Sequence, residues 1–296
     1  MNKTRHNLST EAPPSEGFRE ALTLHLADNS LIMGHRLSEW PGHGPMLEQD
    51  IAISNIALDL IGQARNFYQY AAELINVNTY SSEQTAETFS LKIPTSIRTG
   101  KVPLREATED TLAYLRDTKD FKNILLTELP NGDWAKTILK LFFFSTYQYF
   151  LYRQLVHSLD KQLSAIAEKS LKEVTYHLRW SSEWVIRLGD GTEESHMRMQ
   201  NALNELWGYT DEMFIPADYE IQCAQNNIGV DVCLLKDDWD KKVNEVLIEA
   251  TLPSQQGDGQ VVRQINNGKQ GLHTENLETL LKEMQYLQRT YPGCEW

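Results

Sequence analysis

The sequence predicts an all-α protein: a four-helix bundle core with additional C-terminal helices. Three observations lead there. Four long stretches, 18–39, 47–76, 133–159 and 161–188, carry apolar residues at helical spacing. Breakers or capping residues bound them. No stretch alternates apolar and polar residues convincingly enough to make a sheet. The 296 residues are enough to bury a sizeable core.

Residues 1–17, MNKTRHNLSTEAPPSEG, are polar with no apolar run. A disordered tail without a signal peptide is expected there, ahead of one helical domain over 18–296. The first helix, 18–39, ends at PGHGP (41–45), whose prolines and glycines cannot continue it. The second, 47–76, places Ile53, Ala57, Leu60, Ala64, Phe67, Ala71 and Leu74 at steps of four and three, a core stripe. Residues 77–103 are rich in Ser, Thr and Asn, contain Pro94, Gly100 and Pro103, and read as a long connection. A helix over 105–127, broken near Asp117, leads to the turn LPNGDW (129–134).

The third long helix, 133–159, holds the most apolar stretch, ILKLFFFSTYQYFLY. Lys140, Ser145 and Gln148 interrupt it, and it falls short of the ~20 apolar residues of a membrane span. It reads as a buried helix. The fourth, 161–188, stops at Gly189, a C-cap residue. Thr192 caps the next helix, with Glu193 and Glu194 favourable in its first turn, and Pro216 stops it. A helix over 231–250 follows, then a flexible stretch over 252–271. Thr274 caps the closing helix, which Pro292 and Gly293 end.

Net charge is −13, with a pI of about 5.1. Such an acidic chain does not suggest a general nucleic-acid binder. Cys223, Cys233 and Cys294 are odd in number and form no CxxC pair, which argues against a disulfide framework or structural zinc and for reduced thiols in the cytoplasm.

The chemical question lies at EVTYHLRWSSEW (173–184), where Glu173 and His177 share a helix face. A ferritin-like di-iron site takes one Glu from each of two helices and Glu-x-x-His from each of two others. On the first helix Asp28 is the candidate. On the second, Asp59 and Gly62 occupy i and i+3, and glycine has no ligand to offer. Asn55, Asp59, Gly62 and Asn66 form a polar stripe, which suggests hydrogen bonds inside the bundle. On the fourth helix Glu173 has Tyr176 at i+3, and His177 comes one residue late. The third helix has no Asp or Glu between Trp134 and Leu159. Asp28, Asp59, Gly62, Glu173 and Tyr176 therefore read as vestigial di-iron positions, with no catalytic residue and no metal on this chain. The competing reading is a self-sufficient di-iron oxygenase using Asp28, Asp59, Glu173 and His177.

LADNSLIMGHRLSEWPGHGPMLEQDIAISNIALDLIGQARNFYQYAAEL (26–74), TELPNGDWAKTI (127–138), KEVTYHLRWSSEWVIRLGDGT (172–192) and GKQGLHTENLETLLKEMQYLQRTYPGCEW (268–296) resemble the structural-subunit family of phenylacetyl-CoA 1,2-epoxidases, the PaaC type. The resemblance covers both halves of the chain. It implies a ferritin-like protein that does no chemistry alone in aerobic phenylacetate catabolism. It implies three partners: a homologous catalytic subunit with the di-iron centre, a small coupling subunit and a reductase carrying FAD and an iron–sulfur cluster. The assembly would use NADPH and O2 to epoxidise the ring of phenylacetyl-CoA. The connection at 77–103 is longer than the family leads one to expect.

Two further groups bear on partners. Trp180, Trp184, Met197, Met199 and Trp207 read either as core or as a partner surface. Arg263 and Lys269, in the 252–271 stretch, are candidates to contact a CoA phosphate, which would make the chain a CoA-ester binding module; the alternative is that both are solvated cations. His25, His35 and His43 straddle the Pro-Gly break and read as shaping the entry to the second helix. His273 precedes the cap Thr274 and reads as part of a helix start.

Overall fold

In the computed structural model, which describes residues 16–84, 106–253, 267–292 and 294, the chain runs through α1 (Glu16–Leu37), α2 (Leu47–Gln84), the short α3 (Glu109–Tyr114) and α4 (Leu125–Glu128), then α5 (Trp134–Leu155), α6 (Lys161–Gly189), α7 (Glu193–Leu206), α8 (Asp218–Gln225), α9 (Lys236–Glu249), α10 (Glu275–Met284) and α11 (Tyr286–Thr290). No strand occurs among the described residues, and the architecture is all-α, fitting a ferritin-like bundle. The tail before Glu16 and Arg263 lie outside the described residues. No helix among them is long and apolar enough to cross a membrane.

The four long helices form the core. α1 packs along α2, and α5 along α6. Ser30 faces Gln148 and Trp40 faces Thr137, so α1 and α5 run antiparallel. Asp59 faces His177 and Gln63 faces Glu173, so α2 and α6 do too. The α2 stripe Ile53, Ala57, Leu60, Ala64, Phe67 and Ala71 is buried, as its spacing predicts. Asp133, Asp160, Thr192 and Thr274 accept hydrogen bonds from the first-turn amides of their helices. The stops differ slightly: Gly189 is the last residue of α6, and Asp190 takes the cap.

The departures have physical causes. α2 continues beyond 76 to Gln84, so the connection starts later than its composition suggests. The helix expected over 105–127 is two short helices and a 3-10 turn at Thr118–Asp120. Side chains of α1 capture its backbone: Lys122 N–H donates to Asp28 at 2.8 Å and Ile124 N–H to Asn29 at 2.8 Å. Amides held by a neighbouring helix cannot serve an intrahelical ladder. The helix α8 went unpredicted. The stripe Asn55, Asp59, Gly62 and Asn66 lies on the outside of α2, with Asn55 and Gly62 exposed, rather than inside the bundle.

The stretch over 252–271 is not flexible at its end. Residues 268–270 form a 3-10 turn pressed onto the body. A Cβ on Gly268 would stand 2.2 Å from the Asn123 carbonyl oxygen, so only glycine permits that approach.

Candidate functional site

Polar side chains from all four long helices meet inside the bundle. Ser30 comes from α1, Gln63 from α2, Gln148 and Tyr152 from α5, and Glu173 from α6. The first four are buried and Glu173 is half-buried. Gln148 Nε2 donates to Ser30 Oγ at 3.4 Å and to Tyr152 Oη at 3.2 Å. Tyr152 Oη reaches Gln63 Oε1 at 3.5 Å, and Gln63 Nε2 donates to Glu173 Oε2 at 2.9 Å. The donors run in one direction, from Gln148 through Tyr152 and Gln63 to the single carboxylate. Burial pushes the Tyr152 phenol up to about 12, so it stays protonated and can keep donating.

This donor set can be tested against a di-iron pair. Two iron ions need several carboxylates to bridge them and offset their charge. One carboxylate, two amides, a hydroxyl and a neutral phenol do not fit. Among the described residues, no three His, Cys, Asp or Glu side chains are grouped to hold a metal ion.

Of the five sequence-predicted positions, Glu173 alone joins this layer. Asp28 is fully buried but engaged elsewhere, by the Arg116 guanidinium, the Tyr68 hydroxyl and the Lys122 amide. Asp59 pairs with His177 Nε2 at 3.0 Å near the surface. Gly62 is exposed on α2, and Tyr176 is exposed on α6, edge-on to the His177 ring. The inward position of α2 is Gln63, one residue after Gly62, and a helix turns about 100° in that step. Sequence reasoning missed Ser30, Gln63 and Tyr152, and took Gln148 only as an interruption. The available signal was an isolated amide inside an apolar helical run, which has to find a partner there.

A second cluster clamps the C-terminal segment. Glu128 of α4 accepts from His273 Nδ1 at 2.8 Å, Thr274 N–H at 2.6 Å and Asn123 Nδ2 at 3.0 Å. His273 Nε2 meets the Phe121 carbonyl at 2.9 Å. Burial opposes charging of His273, but the hydrogen bond and charge of Glu128 outweigh it and hold the imidazole above its ordinary value. Lys269, expected with Arg263 either to contact a CoA phosphate or to be a solvated cation, is fully buried instead and open to neither. Its Nζ donates to Glu220 at 3.0 Å and to the carbonyls of Met213 and Ile215. The neighbouring Glu220 carboxylate, 49 residues away, explains the burial: a cation enters a core only when paired.

The histidines expected at the second helix entry separate. His25 is buried, against the Lys122 carbonyl at 2.7 Å and Asn29 at 3.1 Å. His35 is half-buried, with its titration lowered to about 4 by burial. His43 is exposed beside Pro41. The aromatic and Met group divides too: Met199 is buried, Met197 exposed, and Trp207 packs on Phe143 and Trp239.

Comparison with known proteins places this geometry. A family model described as phenylacetic acid catabolic protein matches residues 14–296. A 1,2-phenylacetyl-CoA epoxidase subunit of Escherichia coli (strain K12) is 43% identical over 276 residues, covering 93% of this chain and 98% of that protein. The chain belongs to the phenylacetic acid catabolic protein family.

Proposed function

We propose that this chain is the non-catalytic structural subunit of a 1,2-phenylacetyl-CoA epoxidase in phenylacetate catabolism. It pairs with a homologous catalytic subunit that holds the di-iron centre. A coupling subunit and a reductase with FAD and an iron–sulfur cluster deliver electrons from NADPH, O2 supplies the oxygen, and the assembly works in the cytoplasm. Similarity to the Escherichia coli epoxidase subunit over nearly the whole chain supports membership of such an enzyme. The observation that carries the structural role is the interior donor set, in which Glu173 is the one carboxylate.

An oxygenase built on Asp28, Asp59, Glu173 and His177 is disfavoured, because Asp28 is already neutralised by Arg116. Reconstitution tests the reading. NADPH oxidation dependent on phenylacetyl-CoA is expected only when this chain is combined with the catalytic subunit, the coupling subunit and the reductase. Turnover by this chain with the reductase alone, or undiminished turnover without this chain, would overturn it.

A further inference from the structure

Residues 267–291 lie across the body as a strap. Its backbone comes close at two points: a Cβ on Gly268 would strike the Asn123 carbonyl, and one on Gly271 the Lys119 carbonyl. Leu277, Leu280 and Leu281 of α10 are buried. At the far end Gln285 and Arg289 donate to the Arg116 carbonyl at 3.0 and 2.9 Å.

The near end is held by buried carboxylates from three different elements of the body. Glu128 of α4 accepts from His273 and the Thr274 amide. Glu220 of α8 pairs with the Lys269 ammonium. Glu212 stands in the 3-10 turn Asp211–Phe214. Its Oε1 accepts from Gly268 N–H and its Oε2 from Leu125 N–H, both at 2.7 Å. One carboxyl therefore joins the start of the strap to the first turn of α4.

The charges at this contact do not balance. Glu128, Glu212 and Glu220 face only Lys269 and His273. The other ionisable groups nearby are matched elsewhere or uncharged. Arg116 is paired with Asp28, Arg36 with Glu39 and Asp211 with Lys236. Lys122 sits among Asp28, Glu20 and Asp120. Burial raises the phenols of Tyr147 on α5 and Tyr219 on α8 and the thiol of Cys233, which keeps them protonated. Burial lowers His25 of α1 towards its neutral form.

Acids that outnumber the cations beside them in a core favour a proton on one of the acids. Burial, with the Glu128 charge added, pushes the Glu212 carboxyl up to about 7. His273 titrates above its ordinary value, through Glu128 and against burial. As pH rises, Glu212 gains a negative charge and His273 loses a positive one, so both changes make the contact more acidic. Lifting the strap would return Glu212 to water and to its ordinary 4.5. The proton on Glu212 therefore favours the seated strap. That preference is complete below 4.5 and is lost as pH rises through about 7. His273 acts in the same sense.

We propose that the strap is a pH-sensitive latch, seated while Glu212 is protonated and His273 charged, and loosened in alkaline solution. The latch is a property of this chain alone and does not depend on the subunit reading.

Hydrogen–deuterium exchange of the full chain at pH 6 and pH 8.5 tests it, after correction for the intrinsic rise of amide exchange with pH. Protection of the α10 amides should fall about tenfold or more between the two values, while that of α5 stays constant. Glu212→Gln cannot ionise. Whatever its protection at pH 6, its fall to pH 8.5 should be about tenfold smaller than the wild type's. Equal α10 protection at both pH values in the wild type, a fall matched by α5, or a Glu212→Gln strap that falls as far as the wild type would each overturn the proposal.

Discussion

His273 and Glu128 meet at 2.8 Å with both side chains buried, and the second nitrogen of His273 faces a carbonyl oxygen. With acceptors at both nitrogens, the imidazolium satisfies both contacts, and the neutral ring can donate to only one of them. This pair ties the start of α10 to α4.

The pH dependence follows. His273 titrates above its ordinary 6.5 in the folded chain. Its stabilising contribution is therefore fully present below 6.5 and is lost as pH rises through the raised value. His273→Gln should cost about 3–5 kcal/mol at pH 6, because it leaves Glu128 buried without its cation. The variant should also lose the wild type's fall in stability on the alkaline side. Urea denaturation at pH 6 and at pH 8.5 measures both effects.

Lys140 should act with the opposite sign. It is fully buried, donating to the Leu129 carbonyl at 2.6 Å and Asn131 Oδ1 at 3.0 Å. Burial, with Arg36 nearby, lowers its titration from 10.5 to about 7. Between these values the unfolded chain holds the proton and the folded chain has released it, so stability rises with pH across that window. Lys140→Met removes this rise. Denaturation curves between pH 7 and 10 should show a flatter profile than the wild type.

Arg116 and Asp28 form a buried pair that also involves Tyr68. Arg116→Met strands the Asp28 carboxylate in the core and should cost about 3–5 kcal/mol. Combining it with Asp28→Leu should recover a large part of that loss, since no charge is then left unpaired. A thermal double-mutant cycle checks the coupling.

Gln63→Glu tests the interior layer. The wild-type amide donates to Glu173, whereas a second carboxylate would face it with like charge. The variant should lose about 1–3 kcal/mol at pH 8 and regain most of it at pH 5, where one of the two acids takes up a proton. Urea denaturation at the two pH values decides it.

The long helices were legible because their evidence is local. The stripe from Ile53 to Ala71 fixes which side of α2 is buried, and Thr192 and Thr274 mark the starts of α7 and α10. Segments decided by distant residues were not legible. Asp28 and Asn29 hold the backbone at 122–124, and nothing near 122 announces them. Lys269 reads as a loop cation until Glu220 is beside it. The candidate layer was half legible. Glu173 was found, but periodicity identifies a face only to within a residue, and Gln63 lies one step from Gly62. Amides such as Gln63 and Gln148 also escape a search framed around acids and histidines.

Iron content tests the central claim most directly. Background iron is expected in the isolated chain, and stoichiometric iron only in its complex with the catalytic partner. Stoichiometric iron in the isolated chain, lost in Glu173→Ala, would contradict that claim.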